Sequence, residues 1–574
     1  MNKPVDTPAA TLSGAEAAVE MLRAHGVEVI FGLCGDTSLP LYDALARLQL
    51  GGASGASRLR HILTRDERHA AYMADGYARV TGKVGVCEGP SGGGATYLLP
   101  GLVEANESSI PVLAINTDVS VSSRGRFTLT ELDQKALMRP LTKWNAVLDR
   151  AADIPRTFRA AFNAMTTGRP GAAHIALPFD VQNQPVERSD VWGDPSLGMY
   201  PSRRIAPDPF HVELAAKLLR AAKRPVFICG GGPVIAGAQE ELRELAEKLS
   251  APVATTISGQ GSISEEHPLA VGVVGSNGGT IETRAIVDQA DLVVFVGCRA
   301  GSVTTERWRH PAPGKVKVIH IDVDAGTIGA NYPVDVPLVA DAKLALAVLN
   351  EALDGVKRPL EASAVAKAKA DKFAKFGALA ASDDTPIKPE RVVAELAKAL
   401  DADAIVVADP GTPCPYLSAY YPVRKTGRTL FSNRAHGALG YSMAAAVGAH
   451  IGRPAVKTVA VMGDGSFGMC AGELETLVRH KLPVTMVVIR NAVYGWIKAG
   501  QKTGYGQRYF SVDFGVTDHA KVAEAYGVKS WKVEDPRKLG GALKDAIAHG
   551  GPSLVDVVCQ PLHEARAPVS EWVA

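Results

Sequence analysis

Short apolar runs recur along the chain, separated by longer stretches whose apolar residues fall at helical spacing. In the first third, VEVIFGL, VGVCEG, IPVLAIN and AAHIALP are apolar at consecutive rather than alternating positions. That pattern predicts strands buried on both faces, as in parallel sheets covered by helices. Stretches such as DERHAAYMADGYARVTG between them read as those helices. The alternation returns in PVFICGGG, APVATTI, DLVVFVG and KVIHIDVD, and again in AIVVAD, TVAVMG, PVTMVVIR and PSLVDVV. Strand and helix alternating in this way predict βαβ units and an α/β fold. A chain of 574 residues exceeds what one core sustains, and three domains are expected, over residues 10–190, 205–355 and 385–562. The aperiodic stretch RSDVWGDPSLGMYPSRRIAPDP reads as a linker, and Ala/Lys-rich residues 361–375 as a connecting helix. The first and third segments share one texture, which suggests a cofactor held between two related domains.

Composition narrows the class. With 62 Lys+Arg against 60 Asp+Glu there is almost no net field to draw nucleic acid or an anionic membrane. The seven cysteines are scattered and never spaced as CxxC, which fits buried thiols in a reducing compartment. No apolar signal core opens the chain, and no run of about 18 apolar residues occurs. A soluble, cytoplasmic protein is expected.

The most informative stretch is TVAVMGDGSFGMCAGELETLVRHKLPVTMVVIRNAVYGW. It reads as strand, glycine turn, helix, strand. A right-handed crossover brings the ends of its two strands together, so Asp464 and Asn491 are expected to be neighbours. Gly463 and Gly465 permit a tight turn that aims amides near Ser466 and Phe467 at an anion. Magnesium takes one or two protein oxygens plus phosphate oxygens, and the Asp464 carboxylate and Asn491 amide oxygen suit it. GDG by itself is equally an ordinary turn.

The extended pattern, GDG followed some two dozen residues later by Asn at the next strand end, resembles the thiamine-diphosphate signature. The resemblance implies magnesium held by Asp464, Asn491 and the carbonyl of Val493, with Arg490 standing where an Asn is usual. ILTRDERHAAYMADGYARVTGKVGV resembles the family region that presents a glutamate to the cofactor's aminopyrimidine ring, which makes Glu67 the implied catalytic residue. Alone, Glu67 would be a glutamate favoured by a helix N-terminus. RAHGALGYSMAAAVGA matches the segment that props the cofactor in a bent shape, with Leu439 as the prop. ADPGTPCPYLSAYY aligns with a diphosphate loop through Gly411 and Thr412, and Tyr494 joins this cofactor set. The match runs in order through FGLCGDTSLPLYDAL, SGGGATYLLPGLVEA, LTELDQ, TKWN and GRPGAAHIALP. It is similar to the group of acetolactate synthase, pyruvate oxidase and benzaldehyde lyase. That implies three α/β domains (pyrimidine-binding, central Rossmann-like and diphosphate-binding) and a homo-oligomer, at least a dimer and commonly a tetramer. It also implies C–C cleavage or formation beside a carbonyl, with 2-oxo acids, aldehydes or ketones as substrates.

Several positions depart from the group. GCRAGSVTTERW stands where GxRFDDR is usual, so FAD or ADP in the central domain is an open expectation, with Asp322 and Asp324 as candidate contacts. Gly500 and Thr130 stand where Trp and Gln are usual, the loop at residues 91–94 is SGGG, and Asp36 and Thr37 replace small residues. The expected reaction is therefore decarboxylation of a 2-oxo acid with carboligation, outside housekeeping biosynthesis. A 2-hydroxyacyl or benzoin-type lyase and a flavin-linked oxidase are the alternatives. Candidate pocket residues are Cys34, Asp36, Gly93, His436, Tyr494 and Trp496, with packing or local hydrogen bonding the other reading for Cys34 and His436. Two further readings stand apart: GPSGG at residues 89–93 fits a GxSxG nucleophile elbow, and CGGGPVIAGA is a partial GxGxxG.

Overall fold

The computed structural model describes residues 10–50, 59–565 and 567–569. Three six-stranded sheets organise them. The first runs, edge to edge, Arg60–Leu63, Val29–Gly32, Gly85–Gly89, Val112–Asp118, Ala173–Pro178, Trp144–Val147, all parallel. The second runs Ala270–Val273, Val253–Thr255, Pro225–Cys229, Leu292–Val296, Lys317–Asp322, Val336–Val339, also parallel. The third runs Leu430–Ser432, Ile405–Ala408, Thr458–Gly463, Val484–Arg490, Ser553–Val558, Lys529–Val533, again parallel. Counting strands along the chain within each sheet, the first and third share the order 2-1-3-4-6-5. The middle sheet has 3-2-1-4-5-6, the order common among dinucleotide-binding folds.

The twelve apolar runs read from the sequence are the four interior strands of each sheet. Buried on both faces, these strands carry continuous Val, Ile and Leu and form the cores. All six edge strands escaped the pattern. Arg60–Leu63 and Lys529–Val533 carry exposed positions among buried and half-buried ones, and Trp144–Val147 is half-buried throughout. Leu430–Ser432 is only three residues long.

The chain divides into two compact units, with the boundary between Arg203 and Arg204. The first contains the first sheet and the second contains the other two. The stretch read as a linker belongs to the first unit as far as Arg203. Val84 N–H donates to the Gly198 carbonyl at 2.9 Å, Tyr200 N–H to Gly82 at 2.9 Å and Ser202 N–H to Thr166 at 3.0 Å. Leu197 enters the core, and the Arg159 guanidinium sits 4.0 Å above the Trp192 ring. Such a strap bonds to loop backbones and leaves no periodicity. The expected connecting helix forms as Ser363–Ala380, and Lys369 on it donates to the carbonyls of Glu265 and His267 at 2.7 and 3.1 Å.

The Glu67–Thr81 helix is held in the first unit by buried ions. Arg79 pairs with Asp75 at 2.7 Å and with Glu104 at 3.0 Å, and all three side chains are nearly solvent-free. Removing the cation leaves two buried carboxylates without this counter-ion. Arg79→Met is expected to destabilise this unit by about 3–5 kcal/mol, seen as the earliest urea transition moving to lower concentration. An unmoved midpoint would show that the pair contributes nothing.

Candidate active site

In the 2-1-3-4-6-5 order the chain reverses direction across the sheet between the first and third strands, and the crevice beyond their carboxyl ends is where such sheets bind ligands. In the first unit those strands are Val29–Gly32 and Gly85–Gly89. The loops after them carry Cys34, Asp36 and Thr37, and Pro90, Ser91 and Gly93. They pack together: a Cβ on Gly35 would lie 2.5 Å from Pro90 Cβ, and Ser91 N–H donates to Thr37 Oγ1 at 3.1 Å. Thr130 closes on the same place, with its hydroxyl 2.7 Å from Ser91 Oγ.

Glu67 opens its helix. Asp66 caps it by accepting Arg68 N–H at 2.8 Å. Glu67 is buried, and Gly89 makes room for it, since a Cβ there would come within 3.3 Å of Glu67 Cγ. Burial foremost, then the Asp66 carboxylate, raises its pKa, which suits a carboxyl that exchanges a proton with a ligand. Cys34 is half-buried, and burial followed by the Glu88 and Asp36 carboxylates pushes its thiol up. Asp36 and Gly93 are exposed. Ser91 does not form a hydrolase triad: its hydroxyl partners among the described residues are Thr37 and Thr130, and neither is a base.

In the second unit the corresponding strands of the third sheet are Ile405–Ala408 and Thr458–Gly463. Asp464 begins a short helix, and its carboxylate spans the gap to the adjacent strand end. Oδ2 accepts Asn491 N–H at 2.7 Å and Ala492 N–H at 2.6 Å, and Oδ1 accepts Gly465 N–H at 2.9 Å. The two oxygen-bearing residues, 27 positions apart, are thus neighbours. Burial pushes the Asp464 pKa up against the pull of these donors. Ser466 is buried on the helix, and Gly463 is half-buried before it. Val493 is buried and paired with Asp513. Tyr494 N–H donates to Val512 at 2.9 Å, and its ring lies over Gly465, where a Cβ would be 2.7 Å from Cε1. Gly411 has φ +90°, and Thr412 Oγ1 lies 3.2 Å from a Cβ built on Gly495, so this loop reaches the same end of the sheet.

Three family models match the chain, each over most or all of one sheet. They are described as thiamine pyrophosphate enzyme N-terminal TPP binding domain, central domain and C-terminal TPP binding domain, over residues 12–137, 212–349 and 409–557. The chain belongs to the thiamine pyrophosphate enzyme family. Among relatives, a probable acetolactate synthase large subunit of Methanococcus aeolicus is 37% identical, spanning 96% of this chain and 92% of its own length. An acetolactate synthase large subunit of Lactococcus lactis is 33% identical over 95% of this chain and 92% of its own. As a member of this family the chain is a thiamine-diphosphate-dependent enzyme of the decarboxylase and carboligase type, built of three α/β domains.

The remaining positions expected from the sequence are placed as follows. Leu439 is half-buried and His436 exposed on the segment before the Tyr441–Gly452 helix. Asn433 pins that segment by donating from Nδ2 to the Ala438 carbonyl at 2.6 Å. Trp496 packs on the third core. Arg490, in place of the usual Asn, points to Asp556, with Nε 3.2 Å from the buried carboxylate. Asp409 was missed. It accepts Tyr441 N–H at 2.9 Å and the Ser442 hydroxyl at 2.6 Å, orienting the start of that helix, and burial raises it to about 6. Its only sequence signal is an acid directly after an apolar run. The partial GxGxxG has a packing cause: a Cβ on Gly232 would lie 2.5 Å from Gly297 Cα, and one on Gly230 2.1 Å from the Gly297 carbonyl oxygen.

The described residues contain no cluster of three His, Cys, Asp or Glu able to hold a metal. The expected ligands, one carboxylate, one amide and one carbonyl, would leave a cation such as magnesium to be completed by phosphate oxygens. Asp464→Ala removes both a candidate ligand and the clamp on Asn491. It is expected to raise the dissociation constant for thiamine diphosphate with Mg²⁺ by about 100-fold, measured by titration calorimetry. Unchanged affinity would remove Asp464 from the site.

Proposed function

We propose that the enzyme decarboxylates a 2-oxo acid and joins the remaining acyl unit to a second carbonyl compound, in the manner named for its acetolactate synthase relatives. The observation that carries this reading is the Asp464 carboxylate seated on Asn491 and Ala492, an arrangement suited to a diphosphate-bound cation. In this reading Asp464, the Asn491 side chain and the Val493 carbonyl hold Mg²⁺. Gly411, Thr412, Gly463, Gly465 and Ser466 line the diphosphate, and Leu439 and Tyr494 face the rings. When bound, thiamine diphosphate supplies the electron sink for the pair left on the carbonyl carbon. Glu67, buried and raised in pKa, holds a proton at the aminopyrimidine.

The hydroxyls of Thr37, Ser91 and Thr130 make a polar pocket wall, with Cys34, Asp36 and Gly93 on the same loops. They support a substrate pair other than that of housekeeping biosynthesis. His436 and Trp496 are proposed as pocket residues of the second unit. No step is assigned to FAD or ADP: the second central strand, Val253–Thr255, is followed by Thr256 and not by the acid that grips a ribose.

A homo-oligomer, a dimer or tetramer, is proposed. Phe127 and Leu129 stand exposed to solvent on the first unit, and apolar side chains so displayed mark association surfaces. No helix among the described residues is long and apolar enough to cross a membrane, which supports the cytoplasmic reading.

The test is a panel of 2-oxo acid donors and carbonyl acceptors given to protein loaded with thiamine diphosphate and Mg²⁺, with products identified. Glu67→Gln is expected to lose at least about 100-fold in turnover while circular dichroism stays that of the parent. Full turnover by that variant would reassign the activating acid.

A further inference from the structure

Glu88 is the penultimate residue of the Gly85–Gly89 strand, 1% exposed, and has no part in the chemistry assigned above. Its neighbour strand makes room for it at Gly32, where a Cβ would lie 2.8 Å from Glu88 Oε2. The carboxyl bonds to Ser38 Oγ at 2.6 Å and Tyr42 OH at 2.8 Å. No lysine or arginine pairs with it among the described residues. The titratable groups around it are Glu67 on the preceding helix, Cys34 and Asp36 on the loop opposite, Tyr42 and His61, and Cys87 beside it.

From Ser38 an unbroken line of hydroxyls leads to the pocket wall. Ser38 Oγ lies 3.0 Å from Thr117 Oγ1, Thr117 Oγ1 2.8 Å from Thr37 Oγ1, Thr37 Oγ1 3.2 Å from Ser91 Oγ, and Ser91 Oγ 2.7 Å from Thr130 Oγ1. Thr130 is exposed, and its backbone has φ +69°. A β-branched residue in the left-handed region is a costly outlier; here that conformation sets the hydroxyl against Ser91 and lets it donate to the Leu129 carbonyl at 2.5 Å, so Ser91 is left to donate to Thr130. On the other side of the carboxyl, Tyr42 OH lies 3.0 Å from Nε2 of half-buried His61, on the edge strand. Each hydroxyl both donates and accepts, so the line can be polarised in either direction.

We propose that Glu88 is the proton store for the ligation half-reaction, feeding the pocket through Ser38, Thr117, Thr37, Ser91 and Thr130. The proposal rests on the decarboxylation and ligation reading above. As the new C–C bond forms, the acceptor's C=O π pair moves onto its oxygen, which takes the Thr130 proton. Each hydroxyl then takes the proton of the next, and Glu88 is left as carboxylate. Tyr42 reprotonates it, is reprotonated by His61, and His61 draws on solvent. One solvent proton enters per turnover, matching the one consumed when a 2-oxo carboxylate leaves as carbon dioxide. Burial pushes the Glu88 carboxyl up to about 8, against the bonds from Ser38 and Tyr42, so the carboxyl is largely protonated at neutral pH. Glu88 touches no substrate and acts as a positioning residue for this proton.

Glu88→Gln keeps the volume and hydrogen bonds but has no proton to give, and Thr117→Val cuts the line with Glu88 in place. In the parent, the ligation rate is expected to fall as pH rises through about 8. Both variants are expected to turn over about 100-fold more slowly and to lose that alkaline limb. Infrared spectroscopy of the parent is expected to show a protonated-carboxyl band at neutral pH that Glu88→Gln removes. A parental rate and alkaline limb in folded Glu88→Gln, or in Thr117→Val if the first variant does not fold, would overturn the relay. So would absence of the infrared band. Failure of the parent to release carbon dioxide from any 2-oxo acid sinks the underlying reading instead, and the infrared result still decides whether Glu88 stores a proton.

Discussion

One carboxylate fixes the geometry of the rim at the carboxyl end of the third sheet. Asp464 accepts backbone N–H groups from Asn491 and Ala492, at the end of the neighbouring strand, and from Gly465 in its own turn. Parallel strands leave such donors unpaired where the ladder stops, and buried donors need partners. By filling that need Asp464 ties two strand ends into one rigid rim. Its negative charge stays concentrated in a buried place, a cost that a bound cation relieves. In the proposed reading the same atoms would serve both folding and ligand capture.

The first and third sheets repeat one strand order while the middle sheet follows another. In both copies the direction reversal leaves a crevice at the ends of the first and third strands. The contents diverge. One copy presents glycines, an acid and an amide suited to a metal and phosphates. The other presents Glu67, Glu88 and a wall of hydroxyls suited to moving protons. A shared topology fixed where chemistry could sit, and side chains then divided the labour.

What could be read beforehand follows from burial. Interior strands are enclosed on both faces and announce themselves as unbroken apolar runs. Edge strands such as Arg60–Leu63 and Lys529–Val533 face water on part of their surface and carry mixed residues that resemble loop. That Asp464 and Asn491 would be neighbours was legible because a strand–turn–helix–strand unit delivers both to adjacent strand ends. Asp409 and Glu88 were not, because an acid at the end of an apolar run has the same appearance whether it caps a helix, holds a proton or faces solvent. The GPSGG match failed for the opposite reason: its spacing is satisfied by a turn in which Ser91 meets only other hydroxyls.

The strap formed by residues 188–203 has a practical meaning for dissecting the protein. It supplies the acceptors for Val84 and Tyr200 donates back to Gly82, while Leu197 plugs the core and Trp192 lies under Arg159. A gene fragment ending at residue 190 would lose all of these and leave an open seam on the first sheet's lower side. Fragments meant to carry the glutamate-bearing half for domain-exchange or crystallisation trials belong with a terminus after Arg203.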